Sequence, residues 1–302
     1  MINTPAFAQL LRPGLDAVIA KMPTYPEEWT EIYKTYPSFK NQEIDVELKL
    51  FGNGVIKPEG SPVSTDTAGQ RIVTSYLHKV ISLSFSITKE AIEDNLYKAQ
   101  FTANSNSLID SLRSTRNVLG ANLLNNAFNA QYPTGDGQPV CSLNNPIDGG
   151  VYANKLATPA AFGEASVEQL LLLCQKMPLQ SGLLSQTKAR KLIVPANLQF
   201  KSSILTNSVF RTGLANNDIN AIYHGDYLPE GYKINHFLTS PNAFFILTDA
   251  PDGFKHFQRT PVEGSTYVDY MTDNVMCKLS ERYSMGISNK RAVVGTEGAA
   301  PA

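Results

Sequence analysis

Apolar and polar residues alternate through Val275–Ile287, the stretch VMCKLSERYSMGI. This period of two predicts a single β-strand with one buried face. At 3.3 Å per residue the strand would be about 43 Å long, whereas a typical strand has about 5–6 residues. Glu281 is the residue that breaks the apolar side. We interpret it either as an inward-pointing charge at a strand edge or as the partner of an arginine across a subunit contact.

Two more alternating runs occur nearer the N-terminus. In 43–50 the apolar residues alternate with charged ones, and in Lys79–Ile87 they alternate with serines. Both runs predict strands with one apolar face. The segment 51–71 between them is rich in Gly, Pro, Ser and Thr and is too long for a compact hairpin turn. We expect it to be disordered or to project as a loop that orders against a partner.

The apolar spacing then changes to steps of three and four residues. This spacing predicts one long helix over 88–129, about 60 Å in length. Thr88 is the expected N-cap, and Glu90 and Glu93 lie in the first turn, where the helix dipole favours acidic residues. The alternative is a pair of helices broken at 104–107.

The start of the chain is interrupted by Pro5, Pro13, Pro23, Pro26 and Pro37. Each proline removes a backbone donor and biases the preceding residue away from helix. We therefore expect an extended N-terminal arm, with at most a short helix over 15–22.

After Pro133 the sequence alternates turn signals with shorter elements. Ser166 and Gln169 have the spacing of a capping box, and Pro178 ends the apolar run that they open. The segment 192–194 predicts a buried strand, and the final third of the chain is rich in strands. The whole pattern is of the α+β class.

Composition narrows the class further. The chain has 302 residues, a formal net charge of −1, 42% hydrophobic residues and 18% charged residues. These values are typical of a globular protein and argue against disorder and against a dedicated nucleic-acid or membrane binder. No apolar run approaches the about 18 residues of a membrane span. Cys141, Cys174 and Cys277 show no CxxC spacing, which predicts free thiols in a reducing compartment.

The residues that could carry chemistry form no recognisable catalytic or cofactor site. The histidines, His78, His224, His236 and His256, show neither an HxH nor an HExxH pattern, so we expect no metal site. No GxSxG motif or phosphate-binding glycine loop occurs, so no catalytic residue and no cofactor are predicted. A soluble thiol hydrolase that uses Cys141 with His78 or His224 is the alternative from a different class.

A long strand and a long helix extend beyond any compact core. Elements of this length suit a flat, elongated subunit that overlaps its neighbours in an assembly. The run 43–50 also carries an apolar face that needs cover from outside its own subunit. These features predict the subunit of a protein shell rather than an enzyme.

Five segments, taken in order and spacing, resemble the Mu-like branch of tailed-phage major capsid (head) proteins. They are IKPEGSPV…TSYLHKVISLSFSITKEAIEDNLY, NVLGANLLNNAFN, DGQPVCSLNNPIDGGVYANKL, KLIVPANLQFKSSIL and ERYSMGISNKRAVVGT. The resemblance covers 56–295 and implies the Hong Kong ninety-seven capsid fold.

The resemblance also implies a division of the chain. The parts are an N-terminal arm at 1–41, an E-loop hairpin at 42–87, a spine helix of the peripheral domain at 88–134, an axial domain at 135–254, and peripheral-domain strands with the C-terminal tail at 255–302. Lys57, Pro58, Glu59 and Gly60 would form the tip of the E-loop and contact a neighbouring subunit. Glu281 would face either the spine helix or another subunit.

The function that the resemblance implies is that of a major capsid protein of the virion. Pentamers and hexamers would assemble in the host cytoplasm into an icosahedral shell, the bacteriophage head, around double-stranded DNA held by non-specific contacts. Some relatives carry a long N-terminal scaffolding segment that a protease removes, whereas this chain has only a short arm. We therefore expect scaffolding to come from a separate protein or from an earlier-cleaved piece, with a portal and decoration proteins as further partners and no membrane.

Two further expectations concern covalent crosslinking and the content of the shell. Certain relatives crosslink a loop lysine to a distant asparagine, but a lone Lys57 gives little reason to expect a crosslink here. The runner-up function within the same fold is an encapsulin-like nanocompartment shell, which would hold cargo proteins instead of a genome.

Overall fold

The computed structural model describes residues 4–21, 27–94, 97–210 and 218–299. The helices are α1 (Thr4–Lys21), α2 (Lys89–Glu93), α3 (Tyr97–Asn125), α4 (Glu164–Lys176), α5 (Gln199–Asn207) and α6 (Ala221–His224). The strands are β1 (Lys34–Pro37), β2 (Gln42–Lys49), β3 (Gly69–Leu77), β4 (Lys79–Ile87), β5 (Asn145–Ile147), β6 (Gly150–Tyr152), β7 (Ala189–Val194), β8 (Tyr232–Ile234), β9 (Phe244–Thr248), β10 (Phe254–Val268), β11 (Val275–Ile287) and β12 (Val293–Thr296). Short 3-10 helices occur at Glu28–Glu31, Ala196–Leu198 and Lys290–Ala292.

The first sheet has the order β1-β10-β11-β4, with the two longest strands, β10 and β11, at its centre. Strand β11 has the bounds that the alternation predicts, and its 13 residues pair antiparallel with β10 on one side and β4 on the other. Val275, Cys277 and Leu279 of β11 are fully buried. The prediction of a long strand with one buried face is confirmed.

Helix α3 packs on the buried side of this sheet. Leu108 and Leu112 of α3 share a hydrophobic cluster with Val275 of β11. Gly120 lets the helix approach the N-terminal segment, because a Cβ at that position would lie 2.7 Å from Trp29 Cβ. The glycine thus serves close packing and does not end the helix.

The predicted single helix over 88–129 is wrong, because α2 ends at Glu93 and α3 begins at Tyr97. The apolar spacing continued across the break because both helices pack against the same hydrophobic cluster. The alternative break at 104–107 is also wrong, since α3 runs through that segment. Thr88 is the N-cap of α2, as predicted: its hydroxyl accepts a hydrogen bond from the backbone N–H of residue 91 at 3.4 Å.

A second sheet has the order β12-β9-β7-β8. Leu170 and Cys174 of α4 pack with Leu192 of β7 and Phe244 of β9 in its core. The predicted buried strand at 192–194 is confirmed as part of β7. Strand β12 follows the first-sheet strands in the chain but pairs with β9, so the chain returns to the second sheet near its end.

The predicted start of α4 at Ser166 needs correction. The helix begins at Glu164, with Gly163 as its N-cap. Ser166 is the third helical residue, and its hydroxyl accepts a hydrogen bond from the N–H of Gly163 at 3.1 Å. The serine therefore does cap the helix, but it does so from inside the first turn.

The predicted extended arm is wrong over Thr4–Lys21, which is the helix α1 and contains Pro13. Its buried residue Leu15 belongs to the hydrophobic cluster of α3 and β11. Gly264 of β10 leaves room for it, since a Cβ there would lie 2.9 Å from a methyl of Leu15. The free energy gained by burying this helix on the sheet exceeds the cost of the backbone hydrogen bond that Pro13 removes.

Candidate functional site

Strands β2 and β3 form a two-stranded hairpin, with Val46 opposite Val73. The sequence predicted β2 but paired it with the run Lys79–Ile87. That pairing is wrong, because this run is β4, which pairs with β11 in the first sheet. Strand β3 was missed because its apolar residues occur on both faces, with Ile72 on one side and Val73 on the other.

The charged side of β2 faces its own subunit. Its residues form three ion pairs, Asp45–Lys255, Glu47–Arg291 and Lys49–Asp148. The Nζ–O distance is 2.6 Å in the first pair and 2.6 Å in the third. The side chains of Lys255 and Arg291 are 9% and 2% exposed. The hairpin therefore packs on three charged groups of its own subunit, which we call the charged cradle: Lys255, Arg291 and Asp148.

Hydrogen bonding shifts the pKa of three of these groups, Lys255, Lys49 and Asp148. Burial alone would lower the pKa of the Lys255 ammonium, but hydrogen bonds to Asp45 and Asp252 outweigh burial and raise it. The hydrogen bond between Lys49 and Asp148 raises the pKa of the lysine and lowers the pKa of the carboxyl. Lys255, Lys49 and Asp148 thus remain charged near neutral pH.

The apolar side of the hairpin faces solvent. We call it the apolar stripe, and it consists of Ile44, Val46, Leu48, Val73 and Leu77. The exposed fractions of these side chains are 58%, 37%, 53%, 50% and 58%. An ordinary surface strand turns its apolar residues inward and its charged residues outward, whereas β2 does the reverse. This orientation agrees with the expectation that the run 43–50 lacks cover within its own subunit.

The loop 50–68 joins the two strands of the hairpin. Asp66 holds its base, where one carboxylate oxygen accepts from the N–H of Gly52 at 2.8 Å. Lys57, Pro58, Glu59 and Gly60 lie exposed at the far end. The N–H of residue 61 donates to the carbonyl of Pro58 at 3.2 Å, and Gly60 has φ of +76°. The tip is thus a tight turn away from the ion pairs, and its contact with a neighbour stays a prediction.

Glu281 is 1% exposed and faces α3 within the same chain. The Nε of Arg116 donates to Glu281 Oε2 at 2.7 Å, and Arg116 Nη1 lies 3.4 Å from Glu27 Oε1. Burial raises the pKa of the Glu281 carboxyl, and Arg116 opposes that rise. The interpretation as a spine-facing charge is confirmed. The two others are wrong, since β11 is a central strand and the arginine belongs to the same subunit.

The thiol-hydrolase alternative finds no support in the geometry. Burial raises the pKa of Cys141 to about 12, so its thiolate is scarce at neutral pH. His78 has its ring nitrogens 2.9 Å from the hydroxyls of Ser38 and Ser284, which leaves neither nitrogen for a cysteine. Cys141 instead packs in a hydrophobic cluster with Trp29.

Neither a metal-binding cluster nor a membrane-spanning helix occurs in the described ranges. Within these ranges no group of three or more His, Cys, Asp and Glu side chains is placed to hold a metal ion. The helices of the same ranges include none that is long and apolar enough to cross a membrane.

Comparison with proteins of known structure identifies the fold of this chain. No protein-family model and no curated protein matches the chain. A virus-like particle from Pyrococcus furiosus matches with a TM-score of 0.55 and 10% identity, over 93% of this chain and 97% of that one. The capsid of Myoviridae phage XM1 matches with 0.53 and 10%, over 89% of each chain. The capsid of the native GTA particle matches with 0.56 and 12%, over 90% of each.

These likenesses extend over nearly the whole length of the chains compared, at identities that establish the fold alone. The mixed α and β architecture, with a long helix packed on a sheet that contains long strands, a two-stranded hairpin and a second sheet, agrees with them. The chain has the Hong Kong ninety-seven fold of phage capsid proteins, as predicted.

Proposed function

We propose that this chain is a major capsid protein that self-assembles into a closed shell. The observation that carries the proposal is the apolar stripe, which projects from a fold that also builds capsids and virus-like particles. Pentamers and hexamers of the chain would form an icosahedral phage head around double-stranded DNA. The Mu-like branch, implied by the sequence segments, is the branch of tailed phages that we favour.

Burial of the stripe against a second copy supplies the driving force. Full burial of a valine or leucine side chain stabilises by about 1.5–3 kcal/mol. Because the stripe residues are already half-buried, each would contribute about 1 kcal/mol on association. A shell repeats this contact at every subunit, so weak individual contacts add up to a stable particle.

The loop tip would be a second contact. Lys57, Pro58, Glu59 and Gly60 extend beyond the hairpin, and ordering a residue there costs about 1–2 kcal/mol. Burial of the neighbouring apolar stripe would offset that cost. We therefore place these four residues over an adjacent subunit in the assembled shell.

Packaged DNA, a scaffold and a portal are the partners that this function implies, and decoration proteins are optional additions to them. A formal net charge of −1 suits a shell whose contacts with the packaged DNA are weak and non-specific. The shell would form in the host cytoplasm and persist in the virion, with no enzymatic role. Tight binding of one duplex sequence by the dispersed subunit at physiological salt would contradict this interpretation of the charge.

A nanocompartment shell is the second candidate. It is favoured by the virus-like particle of Pyrococcus furiosus, which this chain matches over 97% of that chain's length. The two candidates differ in content, because a phage head encloses nucleic acid and a nanocompartment encloses protein. Nuclease-protected DNA in purified particles would support the first candidate, and particles that contain only protein would support the second.

Sedimentation velocity of the purified chain over a range of concentrations tests assembly itself. A major capsid protein is expected to shift from subunits or capsomers to fast-sedimenting particles as the concentration rises. A well-folded monomer at every concentration would contradict the proposal.

A further inference from the structure

We infer that the three ion pairs beneath the hairpin, Asp45–Lys255, Glu47–Arg291 and Lys49–Asp148, are positioning residues for assembly. They fix the hairpin in the one seating that presents the apolar stripe to a second copy of the chain. The inference rests on the proposed shell function and adds which residues set the geometry of the contact.

The order of charges along β2 specifies a single seating. Successive inward positions carry negative, negative and positive side chains, and the cradle presents positive, positive and negative ones. A slip by two residues in one direction would set Lys49 against Arg291, and in the other it would set Glu47 against Asp148. A slip by one residue would turn the apolar stripe inward. Each alternative places like charges together or strips the ion pairs of their partners.

The cradle groups come from three separate elements. Lys255 lies on β10 of the first sheet, Arg291 lies in the 3-10 helix before β12, and Asp148 lies in the turn between β5 and β6. The hairpin therefore contacts the first sheet, the 3-10 helix that leads into β12, and the β5–β6 turn. Its direction is defined relative to the whole subunit and not to a single flexible attachment.

The attachment of the hairpin changes in character along its length. At the root, Tyr76 of β3 is 3% exposed and packs against Gly286, where a Cβ would lie 2.5 Å from the Tyr76 ring. At the far end the pair Lys49–Asp148 is half-exposed. Loss of that pair would loosen the far half of the hairpin, where the Arg71 guanidinium still donates to the Ile147 carbonyl at 3.1 Å, while the root stays anchored. If the hairpin is mobile, its conformational entropy is lost each time the apolar stripe binds another subunit. This entropic cost weakens assembly.

The pair Lys49–Asp148 is the best one to test because its loss should leave the core intact. The variants are Asp148→Lys, Lys49→Asp and the exchange of both charges. The exchange also carries Asp66→Asn, because Asp66 lies 3.8 Å from the Lys49 ammonium and would repel an aspartate at that position. The pair Lys155–Glu297 provides the matched control, since its side chains are 23% and 47% exposed against 22% and 44% for Lys49–Asp148. Its variants are Glu297→Lys and the corresponding exchange, and they do not touch the hairpin.

Two measurements are made on each variant. Hydrogen exchange of the dispersed subunit reports the order of β2 and β3 without any need for assembly. Sedimentation reports the concentration at which half of the subunits are in particles. We expect Asp148→Lys to speed exchange in β2 and to raise that concentration about fivefold, in line with loss of an exposed ion pair plus a new repulsion. The charge exchange should restore both quantities to within about twofold of wild type.

Other outcomes overturn the inference. If Asp148→Lys behaves like Glu297→Lys in both measurements, the pair does not position the hairpin. If the charge exchange fails to restore assembly, the residues act by direct contact with another subunit and not by pairing. If wild-type protein forms no particles, the shell function fails, and unchanged hydrogen exchange in Asp148→Lys would then separately refute the positioning role.

Discussion

Arg116 on the long helix and Glu281 on the long strand form a buried ion pair, in which Arg116 Nε lies 2.7 Å from Glu281 Oε2. The pair joins the long helix α3 to β11, a central strand of the first sheet, at one point. Arg116 also reaches Glu27, so the N-terminal segment is held at the same place. The carboxylate that interrupts the apolar side of β11 thus has a structural role inside the subunit.

Replacing Arg116 with leucine should destabilise the subunit by about 3–5 kcal/mol, because it leaves the Glu281 carboxylate buried without a counter-charge. The double change Arg116→Leu with Glu281→Leu should recover most of that loss, since no buried charge remains. Urea unfolding of the dispersed subunit measures both. A single variant that loses less than about 1 kcal/mol would mean that water or Glu281 protonation already compensates the charge.

Acidic pH should lower the free energy of unfolding of the subunit, because the buried His256 then takes up a proton. Burial lowers the pKa of this histidine from 6.5 to about 4, and the charge of Arg116 adds to the effect. Its ring packs between Trp29 and Tyr283, and Nδ1 lies 3.2 Å from the Thr35 hydroxyl. The folded state binds the proton less readily than the unfolded chain. The stabilisation is therefore complete above pH 6.5 and is lost as the pH falls towards 4, a change of about 3 kcal/mol.

The variant His256→Gln should remove this contribution and flatten the dependence of unfolding free energy on pH between 6.5 and 4. The measurement is a set of urea unfolding curves at several pH values in that range. The same substitution at His224, an exposed residue, serves as the control for the substitution itself. An unchanged slope in His256→Gln would assign the acid sensitivity to other groups, among them His78, whose pKa burial also lowers, and the carboxylates.

The loop 50–68 should be open to proteolysis in the dispersed subunit and protected in the shell. Glu59 lies at the exposed tip, so a glutamate-specific protease is expected to cut after it in free protein. Assembly should slow the cut at least tenfold, because a protease needs a mobile segment that the shell would order. Mass spectrometry identifies the site, and Glu59→Gln removes it as a control. Equal cutting rates before and after assembly would argue that the tip contacts no neighbour.

A charge in the apolar stripe should block assembly without unfolding the subunit. Val46 is 37% exposed and lies opposite Val73. Val46→Asp would bury an unpaired carboxylate at the contact, a cost of several kcal/mol that should abolish particles. Val46→Ile keeps the stripe apolar and should assemble like wild type. Sedimentation gives the particle fraction and circular dichroism gives the subunit stability. Normal particles from Val46→Asp would place the contact elsewhere.

Elements whose pattern depends only on their own residues could be predicted from the sequence. The alternation of β11 gave its bounds, and Thr88 marked the start of α2, because a strand period and a cap are local signals. The fold class followed from the order of such elements and from the resemblance to capsid proteins. The hairpin strand β2 was also found, with its exposed apolar face.

Features that depend on distant partners could not be predicted. Helix α1 forms despite Pro13 because Leu15 is buried on the sheet, where Gly264 leaves room. Strand β3 has apolar residues on both faces, so its period is hidden. The sequence of β2 shows an alternation of charges, yet nothing in it names Lys255 or Arg291 as their partners. The charged cradle is therefore a property of the folded chain alone.

Electron microscopy of the purified full chain, prepared at the concentration where sedimentation first shows large species, tests the central claim most directly. The shell function predicts closed, thin-walled particles of uniform diameter with rings of five and six subunits on their surface. A field of single, well-folded subunits at every concentration would contradict it.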